Sequence, residues 1–222
     1  MLMSTVSSES DLIAHWTFND DVIDQTGNGY NGTYINPGSW NYNVDSKEGT
    51  KSTESQFSFS NAIEVGKITF PTTFSIAFWH KWTNSTNTIA MNMFSNGRNT
   101  SDGGFAIWLN TYNTTDGRIL VYTWDTTPTQ DFCGSVTLAY NSGAWNHIGV
   151  TYNSGTWAFI INGIDVTSSS STQTDFTRSG NETVIGNAPN YSGGCQGKYD
   201  DFRIYSTTKS LAEMQSIRNE YL

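Results

Sequence analysis

Apolar and polar residues alternate along most of this chain, and only the last stretch changes period. LIAHWTF (12–18), QFSFSNAIEVG (56–66), FSIAFWHKW (74–82), MNMFSNG (91–97), GGFAIWLN (103–110) and RILVYTWD (118–125) each read as half-buried or buried strands. The last two predict a hairpin around NTYNTTDG. WNHIGVTYN (145–153) and SGTWAFIING (154–163) follow, joined by an Asn-Ser-Gly turn, with IDV (164–166) beyond Asn162-Gly163. Asn-Gly between apolar runs predicts a tight hairpin, because both residues tolerate positive φ. ETVIGN (182–187) and KYDDFRIY (198–205) complete the strands.

The tail STTKSLAEMQSIRNEYL (206–222) has helical spacing instead. Leu211, Met214 and Ile217 share one face, with a Ser or Thr ahead of them as N-cap. About a dozen short strands with turns every ~8–12 residues predict an all-β sandwich or jelly roll closed by one short helix. No repeat and no linker divides the chain. Residues 1–10 read as a disordered polar lead-in and 11–222 as a single domain, a comfortable size for an undivided sandwich.

Composition narrows the classes of partner. Charged residues make up 14% of the chain, against roughly 25% in an ordinary globular domain. Thr, Ser, Asn and Gly are abundant, which suits strands and turns better than long helices. The net charge of −9 argues against nucleic acid and against a basic patch on anionic membranes. No run of about 20 apolar residues is present to cross a membrane. The start, MLMSTVSSESDL, has neither the basic nor the apolar region of a secretory signal. Cys133 and Cys195 could form one disulfide or stand as two free thiols, and a count of two does not fix the compartment.

One stretch invites chemistry. HWTFNDDVIDQTGNGYNGT (15–33) holds Asp20, Asp21 and Asp24 with no lysine or arginine nearby to offset them. Like charges so close repel unless water or a cation separates them. Catalytic carboxylates, a cation loop and a polar surface turn are the three readings. Glycoside hydrolysis needs two carboxylates flanking the scissile bond. No Glu-x-Asp-x-x-Glu strand occurs, and no glutamate pairs with a second carboxylate on a strand. No Gly-x-Ser-x-Gly elbow, phosphate loop or dinucleotide fingerprint is present either. His15, His80 and His147 lie in aromatic strands and read as packed residues with satisfied rings. The expectation is a protein that is not an enzyme.

Taken in order, HWTFND…DQTGNGYNGT, FSIAFWHKW, WNHIGVTYNSGTWAFIINGIDV, VIGN and GKYDDFRIYSTTKSLAEMQSI resemble the laminin-G-like branch of the concanavalin A-like lectin/glucanase jelly rolls. The laminin G 3 type is the nearest in look, over residues 12–217. The resemblance implies two antiparallel sheets, one concave and one convex, with the first and last strands side by side. That pairing would bring residues 19–28 next to Asp200 and Asp201. It further implies a calcium ion at the junction. Asn19, Asp20, Asp24 and Asn28 would supply oxygens from the loop, with Asp200 or Asp201 adding a carboxylate from the last strand. Ca²⁺ takes six to eight such hard ligands. A plain turn with solvated charges is the alternative.

The resemblance also implies a binding scaffold. Sugar recognition wants flat aromatic faces with amide and carboxylate partners. Trp108, Tyr112, Trp124, Phe132 and Tyr191 are the candidate rings, with Asn110, Asp125 and Asn190 as polar partners. Strand alternation sets Trp108 opposite Phe105, Ile107 and Leu109, so Trp108 is exposed if those three are core. Trp16, Trp79, Trp145 and Trp157 read as core. The expected partner is a glycan or a cell-surface protein, met outside the cell. The second reading is a virion surface protein of the same fold, docking to a capsid or fibre and associating with itself, since lysis needs no signal peptide.

Overall fold

The computed structural model describes residues 10–55, 61–82, 91–99, 103–111, 114–124, 130–137, 139–169, 176–178, 181–188 and 193–222. The expected lead-in, apart from Ser10, lies outside the described residues, as does QFSFS at 56–60.

The strands are β1 (Leu12–Trp16), β2 (Thr33–Ile35), β3 (Trp40–Asn43), β4 (Ser52–Ser55), β5 (Ala62–Glu64), β6 (Thr73–Lys81), β7 (Met91–Asn99) and β8 (Gly103–Leu109). They continue with β9 (Ile119–Trp124), β10 (Gln130–Ser135), β11 (Asn146–Asn153), β12 (Thr156–Ile161), β13 (Ile164–Asp165), β14 (Thr167–Ser169), β15 (Thr183–Ile185) and β16 (Gly197–Tyr205). One helix follows, α1 (Leu211–Asn219).

Two antiparallel sheets hold them. The first runs β13-β12-β11-β6-β16-β4-β3, with β1 also paired to β16. The second runs β14-β10-β9-β8-β7-β15-β5-β2. First and last strands are therefore neighbours, with Ala14 opposite Ile204 and Trp16 opposite Phe202. Along one edge β16 follows β6, while its other edge is shared. Gly197–Tyr199 pair with β4, and Phe202–Tyr205 pair with β1. The register of β16 breaks between Asp200 and Arg203, where the neighbour changes. Asp201 sits in that break at φ 45.

Inner faces meet in an aromatic core. Phe78 stacks on Phe202 at 4.6 Å, and Phe202 on Phe94 at 5.5 Å. Phe105 joins Phe74 at 5.2 Å and Trp157 at 5.6 Å. Both predicted hairpin turns of the β11–β13 region form, with Ser154 and Asn162 at φ 46 and 53 ahead of Gly155 and Gly163.

Helix α1 covers the outer face of the first sheet. Ser210 caps it in a reciprocal capping box with Glu213. Met214 and Ile217 pack on Ala77, Ile160 and Tyr205, which point away from the core. Leu211, placed on the same face by spacing, remains exposed at 41%. The first strand stops at Trp16, earlier than its apolar run, since Phe18 turns the chain at φ 56. Three of the four expected core tryptophans are buried, and Trp145 is only partly so. Trp79 is buried on the outer face, under the ammonium of Lys47 at 4.6 Å. Trp145 is half-buried, and its Nε1 donates to Asp45 at 2.8 Å.

Candidate functional site

The opening loop and the end of β16 do come together. His15 Nε2 lies 2.8 Å from Asp201 Oδ1, and Arg203 Nε donates to the same oxygen at 2.8 Å. Arg203 reaches on to Glu220 at 2.7 Å and to the Tyr221 hydroxyl at 2.6 Å, tying β16 to the end of α1. Burial alone would raise the Asp201 carboxyl, but the His15 bond and the Arg203 charge outweigh it and hold it below the ordinary value. Asp200 takes a different environment one residue away. Its Oδ2 accepts the backbone N–H groups of Lys47 and Glu48 at 2.5 and 3.0 Å. Burial pushes this carboxyl up to about 8 despite those bonds, with the neighbouring Asp201 adding to the rise.

The 43–51 segment that caps Asp200 is itself clamped. Asp45 receives Lys198 Nζ at 2.7 Å, Lys81 Nζ at 2.9 Å and Trp145 Nε1 at 2.8 Å. Asn19 holds the far end, its Oδ1 accepting Thr50 and Lys51 N–H at 2.8 and 2.9 Å while its amide donates to Glu48.

The expected calcium ligands can be followed one by one. Asp24 is buried and accepts from His15 N, Thr26 N, Thr26 Oγ1 and Tyr30 N. It organises its own turn. Asp20 pairs with Lys51 at 2.6 Å. Asn28 donates its amide to the Ile13 carbonyl at 3.0 Å. Asn19 Oδ1, Asp200 and Asp201 Oδ1 are engaged by N–H donors and side chains as well, while Asp201 Oδ2 is buried without a partner. Among the described residues no three His, Cys, Asp or Glu side chains are grouped to hold a metal ion. As hydrogen-bonded here, the set does not offer the six to eight free oxygens that Ca²⁺ takes, so it does not fit the ion.

Nor do the buried histidines make a nucleophile. His80 Nδ1 lies 2.7 Å from the Tyr140 hydroxyl, and its Nε2 lies 3.7 Å from Cys195 Sγ. Burial lowers His80 to about 3 and raises Cys195 to about 12, so both groups are neutral at physiological pH. Cys133 and Cys195 are both buried, and no disulfide joins them. His147 departs from the satisfied ring expected of it. It packs on Trp79 at 5.2 Å, yet neither ring nitrogen has a hydrogen-bond partner.

A separate feature lies on the outer face of the second sheet. Phe105, Ile107, Leu109, Ile119 and Val121 face the core, as alternation requires, which turns Ala106, Trp108, Leu120, Tyr122 and Trp124 outward. Tyr122 is the hub. Its ring lies 5.8 Å from Trp108, 6.1 Å from Trp124 in a stacked arrangement, and 5.7 Å from Phe132 across the β9–β10 pair. Trp108 and Trp124 are only 9% and 8% exposed, contrary to the exposure expected of Trp108, whereas Phe132 is 58% exposed. The tryptophans support the cluster, and Phe132 with the half-buried Tyr122 presents it. Tyr122 escaped the sequence reading, although its period-two place between Leu120 and Trp124 puts it on their face.

Asn110 belongs to the β8–β9 turn rather than to that face. It is buried at φ 67, and its Oδ1 accepts the Gly117 N–H at 3.0 Å. Tyr112, Asp125, Asn190 and Tyr191 lie outside the described residues.

Solved structures of the same fold include domain 4 of AbnA, a GH43 extracellular arabinanase from Geobacillus stearothermophilus, in complex with arabinotriose. It is 18% identical, with a TM-score of 0.74, covering 95% of this chain and 99% of that one. The binding domain of Paraclostridial Mosquitocidal Protein 1 is 19% identical at a TM-score of 0.73, covering 96% of this chain and 53% of that one. The receptor binding domain of Botulinum Neurotoxin Type G is 18% identical at 0.67, covering 95% and 51%. The chain thus spans about half the length of these last two. No curated protein matches the chain. A family profile, laminin G 3 of the concanavalin A-like lectin/glucanases superfamily, matches residues 57–215. With most of its length matched and its first and last strands joined in a two-sheet sandwich, the chain belongs to the laminin G 3 family of that superfamily.

Proposed function

We propose that this protein is a non-catalytic carbohydrate-binding or adhesion module acting outside the cell, and that it binds through the outer face of the second sheet. The observation that carries the reading is the ring cluster Trp108, Tyr122, Trp124 and Phe132. Its buried members fix the exposed ones, and rigid flat rings are what the apolar C–H face of a sugar packs against. The arabinanase domain of similar fold that carries arabinotriose supports a sugar as ligand. The carboxylates support binding over hydrolysis. Asp200, Asp201, Asp24 and Asp45 all accept structural hydrogen bonds.

A glycan array followed by titration tests it. Phe132→Ala and Tyr122→Ala are expected to weaken the best glycan by at least about tenfold, equivalent to ~1.4 kcal/mol. Undiminished binding by both variants would place the site elsewhere.

Docking to a protein, including a virion protein, is the second reading. It is favoured by Val136, 44% exposed just beyond Phe132 at the end of β10. An array without hits, together with self-association or capture on a purified capsid or fibre that Phe132→Asp abolishes, would favour it.

A further inference from the structure

The opening loop forms one wall of a groove that shares no residue with the ring cluster. Asp24 receives the N–H groups of Thr26 and Tyr30 at 3.1 and 3.3 Å, and Trp16 Nε1 donates to the Tyr30 carbonyl at 2.9 Å. Asp24 and Trp16 are both buried, so the Tyr30 backbone is pinned at its N–H and at its carbonyl. Between Asp24 and Tyr30 the chain turns through Gly27 at φ 78 and Gly29 at φ 93, a region that glycine enters without strain. Asn28, set between them, donates its amide to the Ile13 carbonyl of β1 at 3.0 Å. The loop therefore holds Tyr30 and Asn28 in place before any ligand arrives, which lowers the cost of binding.

Thr69 and Pro71, from the segment ahead of β6, complete the groove with Leu12, Ile13 and Ser206. Its volume is about 540 Å³, inside the ~300–1,000 Å³ range of ligand sites. Solvent reaches its walls. Asn28 and Thr69 are exposed, while Tyr30 and Pro71 are half-buried, with Tyr30 resting against the core. The Tyr30 hydroxyl, the Thr69 hydroxyl and Asn28 Oδ1 have no hydrogen-bond partner among the described residues. The groove thus combines an accessible ring and a proline with unspent hydroxyl and amide groups, and no charged side chain lines it. Apolar C–H faces pack on the first pair, and sugar hydroxyls satisfy the second set. An anionic ligand would find no cation in the lining and would meet a chain of net charge −9.

We infer that this groove is a second glycan subsite, taking a short neutral oligosaccharide across Tyr30 and Pro71. The choice of a sugar rests on the carbohydrate reading above, whereas the place is independent of the ring cluster.

The test titrates the isotope-labelled protein with arabinotriose, cellotriose and maltotriose, and with trigalacturonate as the acidic counterpart, and follows its amide signals by NMR. The expected result is that a neutral trisaccharide shifts the signals of residues 28–30 and 69, and does so equally in Phe132→Ala. Thr69→Trp, a bulky change at an exposed position, and Tyr30→Ala should each weaken that binding at least about tenfold. Thr69→Trp decides the matter if the loss of the Tyr30 ring unfolds the loop, and its signals away from the groove report that it is folded. Unchanged affinity in Thr69→Trp, shifts confined to β8–β10, or equal binding of trigalacturonate overturns this inference alone. So does a wild type that responds to none of the four sugars while its glycan-array hits are lost in Phe132→Ala. An array without hits, together with no response to any of the four, overturns the carbohydrate reading and this subsite with it.

Discussion

His15 of the first strand and Arg203 of the last meet on a single oxygen, Asp201 Oδ1, at 2.8 Å each. The carboxylate is 1% exposed, so each partner offsets part of a large desolvation cost. Removing one partner should cost far more than the bond itself is worth. Arg203→Leu is expected to lower stability by about 3–5 kcal/mol, read as a shift of the urea midpoint. A loss below ~1 kcal/mol would mean that His15 alone suffices to hold the carboxylate.

Asp24 gives a second prediction. With four donors on one buried side chain, Asp24→Ala should destabilise by roughly 2–3 kcal/mol, the range for hydrogen bonds to a charged group. Because the donors are N–H and O–H groups, the loss should be the same with Ca²⁺ or with EDTA. Wild-type melting should likewise not respond to either, since a ligand bound only to the folded state raises stability. A calcium-dependent rise reversed by EDTA would show that Asp20 and Asn19 leave Lys51 and the 50–51 backbone to coordinate the ion.

His147 should shape the acid limb of stability. Burial lowers its pKa from 6.5 to about 4. The unfolded chain therefore binds more protons between those values, and stability is full above pH 6.5 and falls as pH drops towards 4. At about 1.4 kcal/mol per pKa unit, the drop is on the order of 3 kcal/mol. His147→Phe, which retains the contact with Trp79 and removes both idle nitrogens, should flatten that limb. An unchanged pH profile would assign the acid sensitivity to other groups, His80 first among them.

The thiols should be silent. Cys133 and Cys195 are buried and unbridged, and Cys195 is raised to about 12 by burial. Neither should react with a thiol reagent until the protein unfolds, and reductant should leave the melting temperature unchanged. Rapid labelling of the native protein would show that the core opens locally around β10 or the segment ahead of β16.

Much of this architecture was legible in the residues. Period two marked β8, β9, β11 and β12, and the Asn162-Gly163 turn marked its hairpin, because these strands alternate without interruption. Alternation fails where a bulge resets it. Between Asn92 and Phe94 the register shifts, so the face of Asn92 could not be read from its neighbours. At Asp200 and Asp201 the same failure is sharper. Adjacent strand residues should point to opposite faces, yet both carboxylates are buried and bonded, since the left-handed backbone of Asp201 breaks the alternation. The clamp on Asp45 was invisible for another reason. Lys81, Trp145 and Lys198 are far from it in sequence, and only the strand order of the first sheet gathers them.

The two outer faces of the sandwich are unequally committed. The first sheet is roofed by α1 and by the 43–51 segment, and it also holds both β1 and β16. Anything tethered through that side leaves the ring cluster facing the other way. Copies displayed side by side on one support would present their rings in parallel to an opposing surface. Weak single contacts would then add as avidity, set by spacing rather than by any new interaction.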